Sequence, residues 1–213
     1  MKIDILIDQK DSFFHDYKSL LIKKIKKKNY KIKFIYSANK LKKGDILFII
    51  ATNKILKEKS LSLHNLNLNI HPSKLPQGRG SAAVSWSILN NKSYFYITLH
   101  EAEKKADSGK IYIQEKVKVK AHELNVDIRR RQAIKTIEII NKFLTNRRKI
   151  RPIVQKGKVT FLKKRLPKDS LIDINKTLKS QFNLLRVVDN NRYPAFFYNK
   201  NTKYILKIFK EIK

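Results

Sequence analysis

The chain contains no cysteine, which excludes a disulfide framework, a thiolate metal site and a cysteine nucleophile. Glycine is scarce, at five in 213 residues, and no G-x-G-x-x-G follows the first strand-like run, so a dinucleotide fingerprint is absent. There are only five histidines and no H-x-x-x-H pair, so no metal is expected. A G-x-S-x-G elbow is likewise missing, which argues against a serine nucleophile. No apolar run approaches the roughly 20 residues that span a bilayer, and M-K-I-D-I-L-I-D reads as a strand, not a leader. A soluble, cytoplasmic protein without a membrane partner is the expectation.

Acidic residues are also few, 17 against 49 Lys and Arg, for a formal net charge of +32. A polyanionic partner such as nucleic acid is the first inference from that number. The lysines, however, run through the whole length, and Ile, Asn and Lys share A/T-rich codons, so genome composition is an alternative source of the excess. Nucleic acid is therefore not the expected partner, although anionic substrates are favoured. The length suits one domain with a small appendage and buries about 70% of the unfolded chain's surface.

In order, the pattern predicts a strand over residues 2–8 and a helix over 13–28 with Ser12 as its N-cap. Phe13, Tyr17, Leu20, Leu21 and Ile25 form its apolar stripe. Strands follow at 31–36 and 46–50, the second an unbroken apolar run typical of a strand covered on both faces. This β-α-β order with short linkers points to a parallel sheet. Further expectations are a strand ending at Ile70, a helix over 81–89, strands over 94–100 and 110–119, and a helix over 121–144. The three arginines at 129–131 spread round that helix and do not share one ligand. From residue 151 a strand at 159–162, a loop at 163–173, a helix over 174–188 and a hairpin form the appendage. The expected division is a catalytic domain at 1–150 and a small unit at 151–213.

The chemistry concentrates in N-I-H-P-S-K-L-P-Q-G-R-G, residues 69–80. Asn69 and His71 project from one face of a strand while Ile70 points to the core, and Pro72 stops further pairing. An open α/β sheet places its chemistry at such strand ends. Ser73, Arg79 and the loop Asp107 complete the polar inventory. Asn, His and Asp together assist addition to a carbonyl: one donates to an oxyanion, one moves a proton, one orients the imidazole.

This stretch, followed after a strand by A-D-S-G-K-I, resembles the formyltransferase family that uses 10-formyltetrahydrofolate. The resemblance covers residues 1 to about 145 and implies a Rossmann-like α/β domain, a mainly parallel sheet flanked by helices, with a C-terminal helix and β-hairpin added. It implies Asn69, His71 and Asp107 as the catalytic triad. Lys54, Ile55, Leu56 and the backbone from Glu103 through Lys104 to Ala106 fall where the family holds the folate. L-P-Q-G-R-G with Trp86, E-A-E-K-K-A-D-S-G-K-I-Y and H-E-L are similar to the branch that formylates nucleotide-linked amino sugars. The later R-L-P-K-D-S and Y-P-A-F-F fit the same branch. That branch implies a 4-amino-4,6-dideoxy sugar acceptor and a setting in O-antigen or lipopolysaccharide biosynthesis. Lys10, Ser12, Ser73, Arg79, Gly80 and Tyr193 are the expected substrate contacts, and a homodimer is possible through the hairpin. Ala83 stands where the family often has Pro, a departure in the acceptor loop. Three alternatives stay open: a methionyl-tRNA formyltransferase, which normally carries a larger C-terminal domain, another folate-dependent formyltransferase such as the purine-pathway glycinamide ribonucleotide enzyme, which normally lacks this hairpin tail, and a non-catalytic basic nucleic-acid-binding protein.

Overall fold

The computed structural model describes residues 1–25, 29–52 and 54–211. Four strands, β1 (Lys2–Ile7), β2 (Lys31–Ile35), β3 (Gly44–Ala51) and β4 (His64–His71), pair in parallel in the order β2-β1-β3-β4. A two-residue strand β5 (Arg79–Gly80) lies outside that sheet. The sheet continues beyond β4 with β6 (Tyr94–Glu101) and β7 (Ile111–Lys118), both antiparallel to their neighbours. Parallel pairing thus extends to β4 and stops there.

The alternation within each strand sorts the core into two layers. Ile3, Ile5 and Ile7 of β1 join Phe48, Leu68, Ile70, Ile97 and Leu99 on one face. Two helices cover it: α1 (Lys18–Ile25) and the long α4 (Asn125–Asn146), which contributes Ile137, Ile140, Phe143 and Leu144. Leu6, Leu47 and Ile49 point the other way, onto Leu41 and Leu56. Burial on both faces is why β1 and β3 read as near-continuous apolar runs. The short α2 (Glu58–Leu61) precedes β4, and α3 (Ala83–Leu89) follows β5. Among the described residues no helix is long and apolar enough to cross a membrane.

Ser12 accepts from the Phe14 amide, but the first turn, Phe13–Tyr17, is a 3-10 helix that only then becomes α1. Leu20, expected on the buried stripe, is 44% exposed. Lys26–Lys28, the expected end of that helix, lie outside the described residues. As expected, the three arginines diverge: Arg129 pairs with Asp189, Arg131 with Glu123, and Arg130 is exposed.

After α4 the chain returns to the sheet end. Ile153 bridges Ile111, and β8 (Phe161–Leu162), shorter than the expected strand, pairs in parallel with β5. The expected loop at 163–173 contains a 3-10 turn, Pro167–Ser170. The expected helix over 174–188 is present only as α5 (Phe182–Val187). Its first half is replaced by a loop in which Gln181 accepts from the Asp173 amide and donates to the Asp173 carbonyl. Such local side-chain bonds offer the backbone an alternative to helix. The buried Arg186 of α5 donates to the carbonyls of Glu123 and Lys120, fixing this helix to the body. A hairpin, β9 (Ala195–Asn199) and β10 (Thr202–Leu206), packs on α5 around Leu185, Val188 and Ala195.

Candidate active site

Asn69 and His71 occupy the carboxyl end of β4, on the face opposite the core residue Ile70. The antiparallel neighbour β6 brings His100 beside Asn69. The chain then turns through a loop and places Asp107, at φ 51°, over both strands. Asp is among the few residues that tolerate this left-handed conformation. Gly109 makes the turn possible: a Cβ there would lie 2.1 Å from the Glu101 carbonyl oxygen.

Asp107 is the hub. Its Oδ1 accepts from Asn69 Nδ2 at 3.2 Å and lies 3.4 Å from His71 Nδ1 and 3.6 Å from His100 Nε2. Its Oδ2 accepts from the Gly80 amide at 3.0 Å. The tautomers follow from the neighbours. His71 Nε2 is 2.8 Å from the Gly78 carbonyl, which only accepts, so the proton sits on Nε2 and Nδ1 faces Asp107. His100 Nδ1 is 2.7 Å from the Glu101 carbonyl, so Nδ1 is protonated and Nε2 accepts from Asn69 Nδ2 at 3.2 Å. Asn69 therefore gives both amide hydrogens away, one to His100 and one to Asp107.

Burial pushes the His71 imidazole below its ordinary value of 6.5, outweighing the opposite pull of Asp107 and of the Gly78 carbonyl. Burial raises the Asp107 carboxyl, but the positive charge that the two imidazoles carry once protonated in acid and the hydrogen bond from the Gly80 amide together hold it below the usual carboxylate range. The result is an anionic carboxylate beside a neutral imidazole near pH 7. That pairing suits proton transfer.

A cleft of about 740 Å³ opens at this sheet end. Asn69, His100 and Asp107 line it, whereas His71, 5% exposed, does not. One arm is bounded by Lys54, Ile55, Leu56, Ala102, Glu103 and Ala106. The other runs past Ser12, Gly80 and Ser81 to Arg129, Arg165, Arg192 and Tyr193. Several expected contacts thus fall on the cleft: Lys54, Ile55, Leu56, Glu103, Ala106, Ser12, Gly80 and Tyr193. Four do not line it. Arg79 is buried with its guanidinium on Gln155, and Ser73 is buried with its hydroxyl donating to the Gln77 carbonyl. Lys104 pairs with Glu58, and Lys10 is exposed outside the cleft.

Pattern reading missed His100, which resembles any strand residue in Y-F-Y-I-T-L-H, and the arginines at the far end of the cleft. Only the β4–β6 register reveals the first, and Arg165 and Arg192 reach the cleft from the tail. Among the described residues no group of three or more His, Asp or Glu is arranged to hold a metal ion.

Residues 12–143 match the sequence profile of the formyl transferase family. The bifunctional polymyxin resistance protein ArnA of Wigglesworthia glossinidia brevipalpis is 31% identical over 186 residues, covering 82% of this chain. The chain spans only 27% of that relative's length. Methionyl-tRNA formyltransferase from Clostridium thermocellum superposes with a TM-score of 0.84 at 18% identity, covering 100% of this chain and 94% of the other. A 4-N formyltransferase from Francisella tularensis gives 0.79 at 21% identity, over 99% and 98% of the two chains.

Proposed function

The chain belongs to the formyl transferase family, and from that membership we propose that it transfers the formyl group of 10-formyltetrahydrofolate to the amine of a nucleotide-linked amino sugar. The observation that carries the reading is the grouping of Asn69, Asp107 and His100 on the lining of one cleft, with His71 against Asp107. A volume of about 740 Å³ is in the range of small-molecule sites. Ile55, 57% exposed, and Leu56 give the first arm an apolar wall suited to the flat folate ring. Arg129, Arg165 and Arg192 give the second arm cations suited to a diphosphate, and Tyr193 lies there to stack on a base. The Francisella tularensis neighbour is named a 4-N formyltransferase, in keeping with an acceptor amine at position 4.

In the proposed reaction the sugar amine attacks the formyl carbon, forming a C–N bond and a tetrahedral oxyanion. The bond from that carbon to the folate nitrogen then breaks. One proton leaves the amine and one arrives on the folate nitrogen, so the exchange balances. Asp107, anionic and on the cleft, takes the proton from the amine directly or through water, with His71 Nδ1 beside it as relay. Protonation of Oδ1 weakens it as an acceptor and frees an Asn69 hydrogen for the oxyanion.

The test is a panel of dTDP-, GDP- and UDP-linked 4-amino sugars offered with 10-formyltetrahydrofolate, read by formylated product. Product from at least one sugar is expected. Formyl transfer to methionyl-tRNA with no sugar product would replace the acceptor by tRNA. Salt-sensitive nucleic-acid binding without folate binding would replace the enzyme reading altogether.

A further inference from the structure

The carboxylate of Asp107 is held by four neighbours, but its loop has a separate support that touches none of the reacting groups. The Nε2 of Gln155 donates to the carbonyl of Asp107 at 2.9 Å and to that of Gly109 at 2.8 Å. Its Oε1 accepts from the guanidinium of Arg79 at 2.7 Å. Arg79 has donors only, so it fixes which end of the Gln155 amide faces the loop. Arg79 is 5% exposed, and its Nε has no partner among the described residues. The arginine of the signature stretch is thus committed inward. Gln155 is placed by the Ile153–Ile111 bridge, and Arg79 by the Thr160 carbonyl and the pairing of β5 with β8.

We propose that Gln155, locked by the buried Arg79, is the positioning residue of the Asp107 loop, holding its two carbonyls so that the carboxylate meets Asn69 and His71. The Asp107 backbone is in a left-handed conformation that few residues adopt, so the loop needs an external tether. A shift of about 1 Å in a reacting group costs roughly 100-fold in rate. Two amide hydrogens, one on the carbonyl of Asp107 and one on that of Gly109, restrict that shift.

Four variants test this: Gln155→Ala, Gln155→Glu, Asp107→Asn and the double variant Gln155→Ala/Asp107→Asn. Gln155→Glu retains an acceptor for Arg79 while removing both donors, so it separates folding from tethering. The kinetic arm rests on the formyl-transfer reading. There, kcat is expected to fall roughly 10- to 100-fold in Gln155→Ala and Gln155→Glu, with KM for the formyl donor within about threefold. Adding Gln155→Ala to Asp107→Asn is expected to cost little more, because the tether acts through that carboxylate. The second arm needs no activity: the His71 imidazole is titrated by NMR. Removal of the carboxylate in Asp107→Asn lowers its midpoint, and Gln155→Ala is expected to move it part of the way. A His71 midpoint unchanged in Gln155→Ala, full turnover in a folded Gln155→Glu, or a fully additive double variant overturns the proposal. If no acceptor is formylated by the wild-type chain, the functional reading fails and the titration still decides the tether.

Discussion

Strand β4 carries a histidine–carboxylate pair at each end, and the two ends differ in everything but the pair. At its first residue, His64 Nε2 lies 3.1 Å from Asp4, its side chain wholly buried and its Nδ1 without a partner among the described residues. At its last, His71 Nδ1 lies 3.4 Å from Asp107 while Nε2 donates to the Gly78 carbonyl. His64 is walled by Gly44, where a Cβ would sit 2.7 Å from Nε2, and it lines no part of the cleft. His71 is backed by a carboxylate that opens onto the cleft beside Asn69 and His100. A histidine beside an aspartate is therefore not itself a site. What makes one is the carboxyl end of the sheet, where loops leave room for a ligand.

The sharpest way to break the comparison is to disrupt each pair. Asp107→Ala is expected to lower kcat by roughly 10³-fold, in the range of lost general base and oxyanion support, while circular dichroism stays unchanged. Next comes the other end. His64→Ala leaves Asp4 without its buried partner and is expected to cost on the order of 1–3 kcal/mol, with kcat of the folded protein within twofold. Gly44→Ala drives a methyl into the same ring and is expected to cost about as much, a fall of roughly 2–4 °C in melting temperature per kcal/mol. A large drop in kcat in either variant would mean the two ends communicate.

Acid offers a gentler probe. His71 is held below 6.5 in the fold, so its contribution to stability is full above 6.5. It is lost as pH falls toward the lowered folded value, because the unfolded chain takes the proton first. Asp107 acts in the same direction below its ordinary 3.8. Denaturant unfolding from pH 7 to 5 is expected to show a decline that is shallower in His71→Gln. An equal slope in that variant would assign the loss to other groups. The smallest effect is expected at Lys104, whose side chain is 73% exposed and paired with Glu58. Lys104→Ala should leave KM for the formyl donor within twofold, whereas Leu56→Ala on the cleft wall should raise it severalfold.

The sequence was most legible where spacing alone determines geometry. Asn69 and His71 had to share a face, Pro72 had to end the strand, and the buried run of β3 had to be central. Asp107 was legible as a residue, by resemblance, but not its tether, because Gln155 comes from beyond α4 and no local pattern marks it. Arg79 shows the opposite failure. A cation in a glycine-flanked loop reads as an anion contact, yet the β5–β8 pairing turns it inward to Gln155. The missing half of the helix before α5 has a local cause, the Gln181–Asp173 bonds, which apolar periodicity does not register.

The pairing of β5 with β8 joins residues on either side of the longest helix. During synthesis the six-stranded sheet can be completed before residues 153–162 leave the ribosome, with Asn69, His71 and Asp107 already near one another. The clasp over the signature loop arrives later, with Ile153, Gln155, Thr160 and Leu162. A nascent or clipped form ending near residue 150 would be a sheet with Asn69, His71 and Asp107 present and the Asp107 loop untethered.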